Sequence, residues 1–278
     1  MLCDLHVHSS FSDGTDTPAQ LIRQAESLGL SALALCDHNT LSGLPDFLAA
    51  AKDSSVEAIA GIEFSTSYQA LELHILALGL QESAYAPIQA LLADSLQKKE
   101  ASNRQLVENL RAVNIHLDYD TLKARLGGGY INRAHIAAEL TALGVTPSIK
   151  AAFSTLLHPK NGLYSPPKWP ESTRIISFIR DLNAIPVLAH PLVTMDAQTA
   201  ATFLEAAVPA GLIGMETCYS RYDAPTAAAA QDLAARFGLL PSGGSDYHGS
   251  NKPDVPMAGD RGAVQPPIRF WQQMKARL

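Results

Sequence analysis

Apolar positions along the chain follow two rhythms. From residue 1 to about 82, and again from about 158 onward, short apolar runs of strand length alternate with stretches of helical period. The runs 1–8, 32–36, 59–64, 71–78, 185–189, 212–217 and 239–244 read as strands. A helix is expected over 17–29, with Thr17 as N-cap, Pro18 at the first helical position and Gln20 at the third. Others are expected over about 42–52, 175–182, 197–207 and 224–237, with a short one around Trp271. Between 83 and 157 the pattern changes. No strand run stands out there, and Leu91, Leu92, Leu96, Leu106, Val107 and Leu110 recur at helical spacing. Further helices are expected over 120–126, ended by Gly127, Gly128 and Gly129, over 132–143 with Asn132 as N-cap, and from Ser148. The chain therefore divides into a strand–helix body, 1–82 with 158–278, and an all-helical insertion, 83–157. About seven strands alternating with helices imply an α/β fold, paired in parallel through right-handed crossovers and closed as a barrel. Such barrels work at the C-terminal ends of their strands.

Composition narrows the class. With 278 residues, 47% hydrophobic and 17% charged, the chain has the makings of a real core. No apolar run reaches the roughly 18 residues of a membrane span, and no basic stretch precedes an apolar run at the start. No membrane association and no leader are therefore expected. Cys3, Cys36 and Cys218 are far apart, and the first two lie in strand runs. They read as buried thiols in a reducing compartment, so a cytoplasmic location is expected. The net charge of −6 argues against a general nucleic-acid coat. From 82 to 160, nine Lys/Arg stand against seven Asp/Glu, which leaves −8 for the rest. An acidic body suits cations, and a mildly basic insertion suits an anion. Lys98 and Lys99 read as solvated, and His116 and His158 as structural.

The chemistry starts at Cys3-Asp4-Leu5-His6-Val7-His8. Side chains two apart on a strand share a face, so His6 and His8 aim together off one strand end. A Gly- and Ser-rich turn brings Asp13 back to the same mouth. One His-x-His is compatible with two ordinary strand histidines; the remaining strand ends decide the matter. They add His38, Glu63, His190, Asp246 and His248, and His74 lies in or just after the fourth strand. So many buried ionisable groups are costly without cations. Nine ligands exceed one shell of about four to six donors, so three ions with Glu63 as a bridge fit better. Imidazole with carboxylate and no thiolate suits Mn²⁺, Fe²⁺ or Zn²⁺.

Asp4-x-His6-x-His8, Asp37-His38, Glu63, His74, His190 and Ser245-Asp246-x-His248 resemble the PHP (polymerase and histidinol phosphatase) family of metallophosphoesterases. The resemblance implies a distorted (β/α)7 barrel with a trinuclear site of divalent ions, manganese first. One ion would take His6, His8, Glu63 and Asp246; a second Glu63, His74 and His190; the third Asp13, His38 and His248. The insertion resembles that of a subgroup of 3′,5′-nucleoside bisphosphate phosphatases and 5′–3′ exoribonucleases acting on short RNA. Its candidate substrate-binding residues are Asn103, Arg104, Arg133 and His135. A planar guanidinium grips phosphate with paired hydrogen bonds, so Arg104 and Arg133 are the expected clamp for a second phosphate.

The expected reaction is removal of the 3′-phosphate from a nucleoside 3′,5′-bisphosphate by attack of a metal-bridging hydroxide. Asp246 is the candidate proton acceptor, and His190 or His248 assists the leaving group. The alternatives are a 5′–3′ exoribonuclease on the same centre, a histidinol-phosphate phosphatase, and a non-catalytic domain that metals merely stabilise. The expected partner is a small nucleotide, or short RNA; no protein partner is evident. Tyr130, Tyr164, Tyr219 and Tyr222 lie in loop-like stretches and read as packing residues.

Overall fold

A computed structural model describes residues 1–126, 130–258 and 265–278. The expected helix end at Gly127, Gly128 and Gly129 lies outside the described residues. The strands are β1 (Leu2–Val7), β2 (Leu30–Leu35), β3 (Glu57–Tyr68), β4 (Leu71–Leu78), β5 (Ile185–Leu188), β6 (Gly214–Tyr219) and β7 (Leu240–Gly244). The helices are α1 (Pro18–Ser27), α2 (Leu44–Ala50), α3 (Tyr85–Ala112), α4 (Tyr119–Arg125), α5 (Arg133–Ala142), α6 (Ile149–Ser154), α7 (Ser172–Asp181), α8 (Pro191–Thr194), α9 (Ala197–Ala210), α10 (Ala224–Arg236) and α11 (Arg269–Lys275). Contacts divide the chain into two compact units, 1–89 with 169–278, and 90–168.

In the first unit all seven strands form one sheet, ordered as in the sequence, that curls into a nearly closed barrel. β1, β2 and β3 pair in parallel, as do β5, β6 and β7. β4 runs antiparallel to both β3 and β5. The expected all-parallel pairing is thus corrected, and the reason is local. Only residues 69 and 70 separate β3 from β4, and Gln69 takes φ 55°. Two residues suffice for a hairpin, whereas a parallel return needs a dozen or more.

The sheet edges meet through the segments that carry the candidate ligands. The His8 N–H donates to the Tyr247 carbonyl (2.9 Å), and the Asp246 N–H to the His6 carbonyl (2.8 Å). Gly244 permits this approach: a Cβ there would overlap the His6 Cβ and stand 2.6 Å from the His6 nitrogen. Gly244→Ala is therefore expected to destabilise the protein by about 1–3 kcal/mol, the usual range for overpacking. A lowered urea midpoint checks this; an unchanged midpoint would mean that β1 and β7 do not pack so closely.

Below the site lies the core. Cys3, Leu5, Ala32, Ala34, Leu76, Leu78, Ile185 and Val187 cluster with Phe270, Trp271 and Met274 of α11. Cys3 and Cys36 are buried free thiols, and burial pushes the Cys3 thiol up to about 12. At the start of α1, Thr17 and Gln20 close the expected capping box.

The second unit has its own core, in which Leu106, Val107 and Leu110 of α3 pack with Leu122, Ile136 and Leu140. Asn132 caps α5, and its N–H donates to His135 Nδ1 (3.1 Å). Lys98 is exposed beside Asp94 (2.6 Å), but Lys99 is buried with its ammonium on the Asn132 side-chain oxygen. The expectation of two solvated lysines fails for Lys99 because neighbours in a helix point about 100° apart. Among the described residues, no helix is long and apolar enough to cross a membrane.

Candidate metal centre

Glu63, on β3 and fully buried, is the hub. Its Oε2 lies 3.3 Å from His6 Nε2, 3.3 Å from His8 Nε2 and 3.0 Å from His38 Nδ1. Its Oε1 lies 2.8 Å from His74 Nδ1 and 3.1 Å from His190 Nε2. One carboxylate thus faces two separate groups of imidazoles, one group per oxygen. β1 supplies His6 and, just past its end, His8. β2 leads directly to His38, and β5 to His190. His74 comes from the middle of β4, and the hairpin explains how. It pairs with Ser65, two residues along β3 from Glu63, and so is its diagonal neighbour across the ladder.

The other candidates border this hub. Asp13 Oδ1 is 3.7 Å from His8 Nδ1 and 3.4 Å from His248 Nε2, and its Oδ2 is 3.8 Å from His38 Nε2. Asp246 Oδ1 is 3.3 Å from His8 Nε2 and 3.9 Å from His6 Nε2. The structure therefore brings all nine side chains together. Among the described residues, four ligand-sized groupings emerge: His8–Asp13–His38–His248, His6–Glu63–His190, His6–His8–Asp246 and His38–Glu63–His74.

The donor set fits divalent cations, as the unmet hydrogen bonds show. Among the described residues, Asp13 Oδ1, His38 Nδ1, Glu63 Oε2 and His74 Nδ1 are buried with no partner in hydrogen-bonding geometry, the short contacts above being misaligned for it. Each such atom costs free energy unless something else satisfies it. All four belong to the groupings above, and a cation shared among imidazoles and carboxylates satisfies them together.

The electrostatics are strongly coupled. Burial disfavours charge on Glu63, but His38, His74 and His6 outweigh it and hold the carboxyl well below its ordinary range. Burial would likewise lower His74, but Glu63 beside it lifts it to about 10. His248 goes the other way: burial, the Lys252 ammonium and His8 push it down to about 4. Asp246, despite burial, is held well below the carboxylate range by Lys252 and His248.

Several contributors had no role at the centre assigned to them from sequence. Asp246 Oδ2 accepts from Tyr219 Oη (2.8 Å) and Lys252 Nζ (2.7 Å), which leaves Oδ1 to face the imidazoles. Tyr219 is thus more than a packing residue. Asp4 accepts from the N–H (2.9 Å) and hydroxyl (2.5 Å) of Ser245. Asp37 accepts from the Ser9 and Ser12 hydroxyls, both at 2.6 Å. Both carboxylates sit next in sequence to, or two residues from, candidate ligands and tie down their loops. Glu216 of β6 accepts from His6 Nδ1 (3.0 Å) and from the His190 N–H (2.7 Å). A charged residue inside the apolar run 212–217 was the only available signal for it.

The insertion candidates lie in the second unit. Asn103 is buried and donates to the Ile131 carbonyl (2.7 Å). Arg104 stacks on Tyr119 (4.4 Å) and pairs with Asp120 (2.7 Å) and Glu100 (3.2 Å). Arg133 stacks on Tyr164 (4.4 Å) and lies 5.6 Å from the Phe153 ring centre. His135 accepts the bond that caps α5.

Similarity to known proteins follows the same lines. Residues 4–166 match the PHP domain model. The chain is 32% identical to a 5′-3′ exoribonuclease of Haemophilus influenzae, over 68% of either protein. It is 31% identical to a phosphoribosyl 1,2-cyclic phosphate 1,2-diphosphodiesterase of Eggerthella lenta, over 90% of this chain and 95% of that one. It is 28% identical to a 3′,5′-nucleoside bisphosphate phosphatase of Chromobacterium violaceum, over 99% and 97%. Among solved structures, a protein of Bifidobacterium adolescentis assigned as a metal-dependent phosphoesterase superposes with TM-score 0.87 at 26% identity, over 99% of this chain and 96% of that one. A nearly closed seven-stranded barrel, with histidines and carboxylates gathered around one glutamate and a family match over more than half its length, places this chain in the PHP domain family.

Proposed function

We propose that this PHP-family phosphatase hydrolyses the 3′-phosphate of nucleoside 3′,5′-bisphosphates, giving the nucleoside 5′-phosphate and orthophosphate. The metal-dependent chemistry rests on the divided environment of Glu63, whose oxygens face different imidazole groups, and the substrate on likeness to the bisphosphate phosphatase along nearly the whole chain. We assign His6, His8, Glu63 and Asp246 to one divalent ion, Glu63, His74 and His190 to a second, and Asp13, His38 and His248 to a third, with manganese as the first choice. Ions held there supply Lewis-acid charge and a water acidified towards neutrality.

The chain's own groups orient and balance this centre. Tyr219 and Lys252 occupy one oxygen of Asp246 and turn the other inward. That leaves Asp246 more suited to holding an ion than to accepting a proton. Lys252, with 26% of its side chain exposed, adds fixed positive charge where the phosphoryl oxygens gain negative charge. His190 is the candidate to assist the leaving group, being more exposed than His248. The insertion is the proposed substrate-binding cap. There Arg104 and Arg133 are the proposed grips for the 5′-phosphate, since a planar guanidinium binds phosphate through paired hydrogen bonds.

Likeness to the exoribonuclease favours a second reading, hydrolysis of short 5′-phosphorylated RNA on the same centre. One assay separates the two. Phosphate release with Mn²⁺ is compared for adenosine 3′,5′-bisphosphate, 3′-AMP, 5′-AMP and histidinol phosphate. Mononucleotide release is followed from 5′-phosphorylated RNA, and ring opening from a ribose cyclic phosphate. The bisphosphate is expected to turn over fastest. Arg133→Ala should lower kcat/KM for it by about 10–100-fold, the worth of a charged hydrogen bond, and leave 3′-AMP unaffected. Accumulating mononucleotides, with the bisphosphate slow, would replace the first reading by the second.

A further inference from the structure

We infer that Glu216 is a positioning residue that sets two metal ligands at once, His6 through its side chain and His190 through its backbone. The inference rests on the reading of those two histidines as ligands. Glu216 is fully buried on β6, and each of its oxygens has one job. Oε1 accepts the proton of His6 Nδ1 (3.0 Å), a group 210 residues away in the chain. A neutral imidazole carries one N–H and one lone pair, so a proton held on Nδ1 leaves the lone pair on Nε2. That Nε2 is the atom facing Glu63 Oε2 (3.3 Å) and Asp246 Oδ1 (3.9 Å).

Oε2 accepts from the backbone N–H of His190 (2.7 Å). His190 takes φ 29° and ψ 50°, a left-handed backbone that residues with a Cβ avoid unless their surroundings impose it. With the backbone so held, His190 Nε2 reaches Glu63 Oε1 at 3.1 Å. His6 stands on the Oε2 side of Glu63 and His190 on the Oε1 side. Glu216 therefore registers the two halves of the centre against each other. The task needs two acceptors on one short, buried side chain. Glutamine has the same shape but only one acceptor. Whichever way its amide turns, an N–H group meets either the His6 Nδ1–H or the His190 N–H.

The test compares wild type with Glu216→Gln, measuring Mn²⁺ affinity and stoichiometry by electron paramagnetic resonance and folding by circular dichroism. The expected result is a folded variant with its Mn²⁺ dissociation constant raised about 10–100-fold, as when a ligand's hydrogen-bond partner is lost. A folded variant with wild-type affinity and stoichiometry would overturn the inference and leave the metal reading standing. A wild-type protein that takes up no divalent ion would remove both. If the variant does not fold, the wild type still decides. In the Zn²⁺-loaded protein, nitrogen-15 NMR should find the His6 proton on Nδ1, and a proton on Nε2 instead would overturn the inference.

Discussion

Glu63→Gln is expected to cut phosphate release by about 10²–10³-fold or more, the scale of losing one preorganised charged group at a reacting centre. The change keeps the volume, so the fold should survive. What it removes is one anionic oxygen of a pair. The three imidazoles near Oε2 and the two near Oε1 would then have to share one carbonyl oxygen. An amide nitrogen cannot ligate a cation as a carboxylate oxygen does, so one side of the hub loses its link to the other. Bound metal should fall along with rate. Steady-state kinetics at saturating Mn²⁺, with metal content measured on the same samples, checks both. A variant that keeps more than a tenth of wild-type kcat/KM would show that Glu63 is no bridge.

Stripping the metal should have the second large effect, this time on stability. Four buried polar atoms of the cluster have no partner in hydrogen-bonding geometry among the described residues. A ligand that binds only the folded state stabilises it by about 4 kcal/mol at a thousandfold excess over its dissociation constant. For a chain of this size each kcal/mol moves Tm by about 2–4 °C. Chelation is therefore expected to lower Tm by on the order of 10 °C, and added Mn²⁺ to restore it. Scanning calorimetry with and without EDTA gives the answer. Coincident transitions would mean that the cluster holds no ion tightly in the folded state.

Much of the architecture is legible in the amino-acid sequence. Thr17, Pro18 and Gln20 announced α1 because capping chemistry acts within one turn. Asn132 announced α5 for the same reason. His6 and His8 could be paired on sight because a strand repeats every two residues. His38, His190, Asp246 and His248 lie just past strand ends, so the barrel collects them at one mouth, whereas Glu63 and His74 lie inside β3 and β4 and meet through the hairpin register. The direction of β4 was misjudged, since alternation of strands and helices was extended across a link of two residues that admits only a hairpin. Lys99 was misjudged because the helix face it occupies depends on what packs there.

Local order in the sequence thus determined which segments are strand or helix, and which of them carry groups able to hold cations, because those properties repeat over two to four residues. The sequence pointed to Glu63 as a bridge, and tertiary structure decided which imidazoles face each of its oxygens. Tertiary structure also decided that Glu216, Tyr219, Lys252, Asp4 and Asp37 hold the candidate ligands and their loops in place. His6 meets Glu216 across 210 residues, and Asp4 meets Ser245 across 241. Pairings of that range leave no periodic trace in the chain. They exist because a sheet that closes on itself brings its first and last strands together, and because a buried charge must find whatever partner that closure supplies.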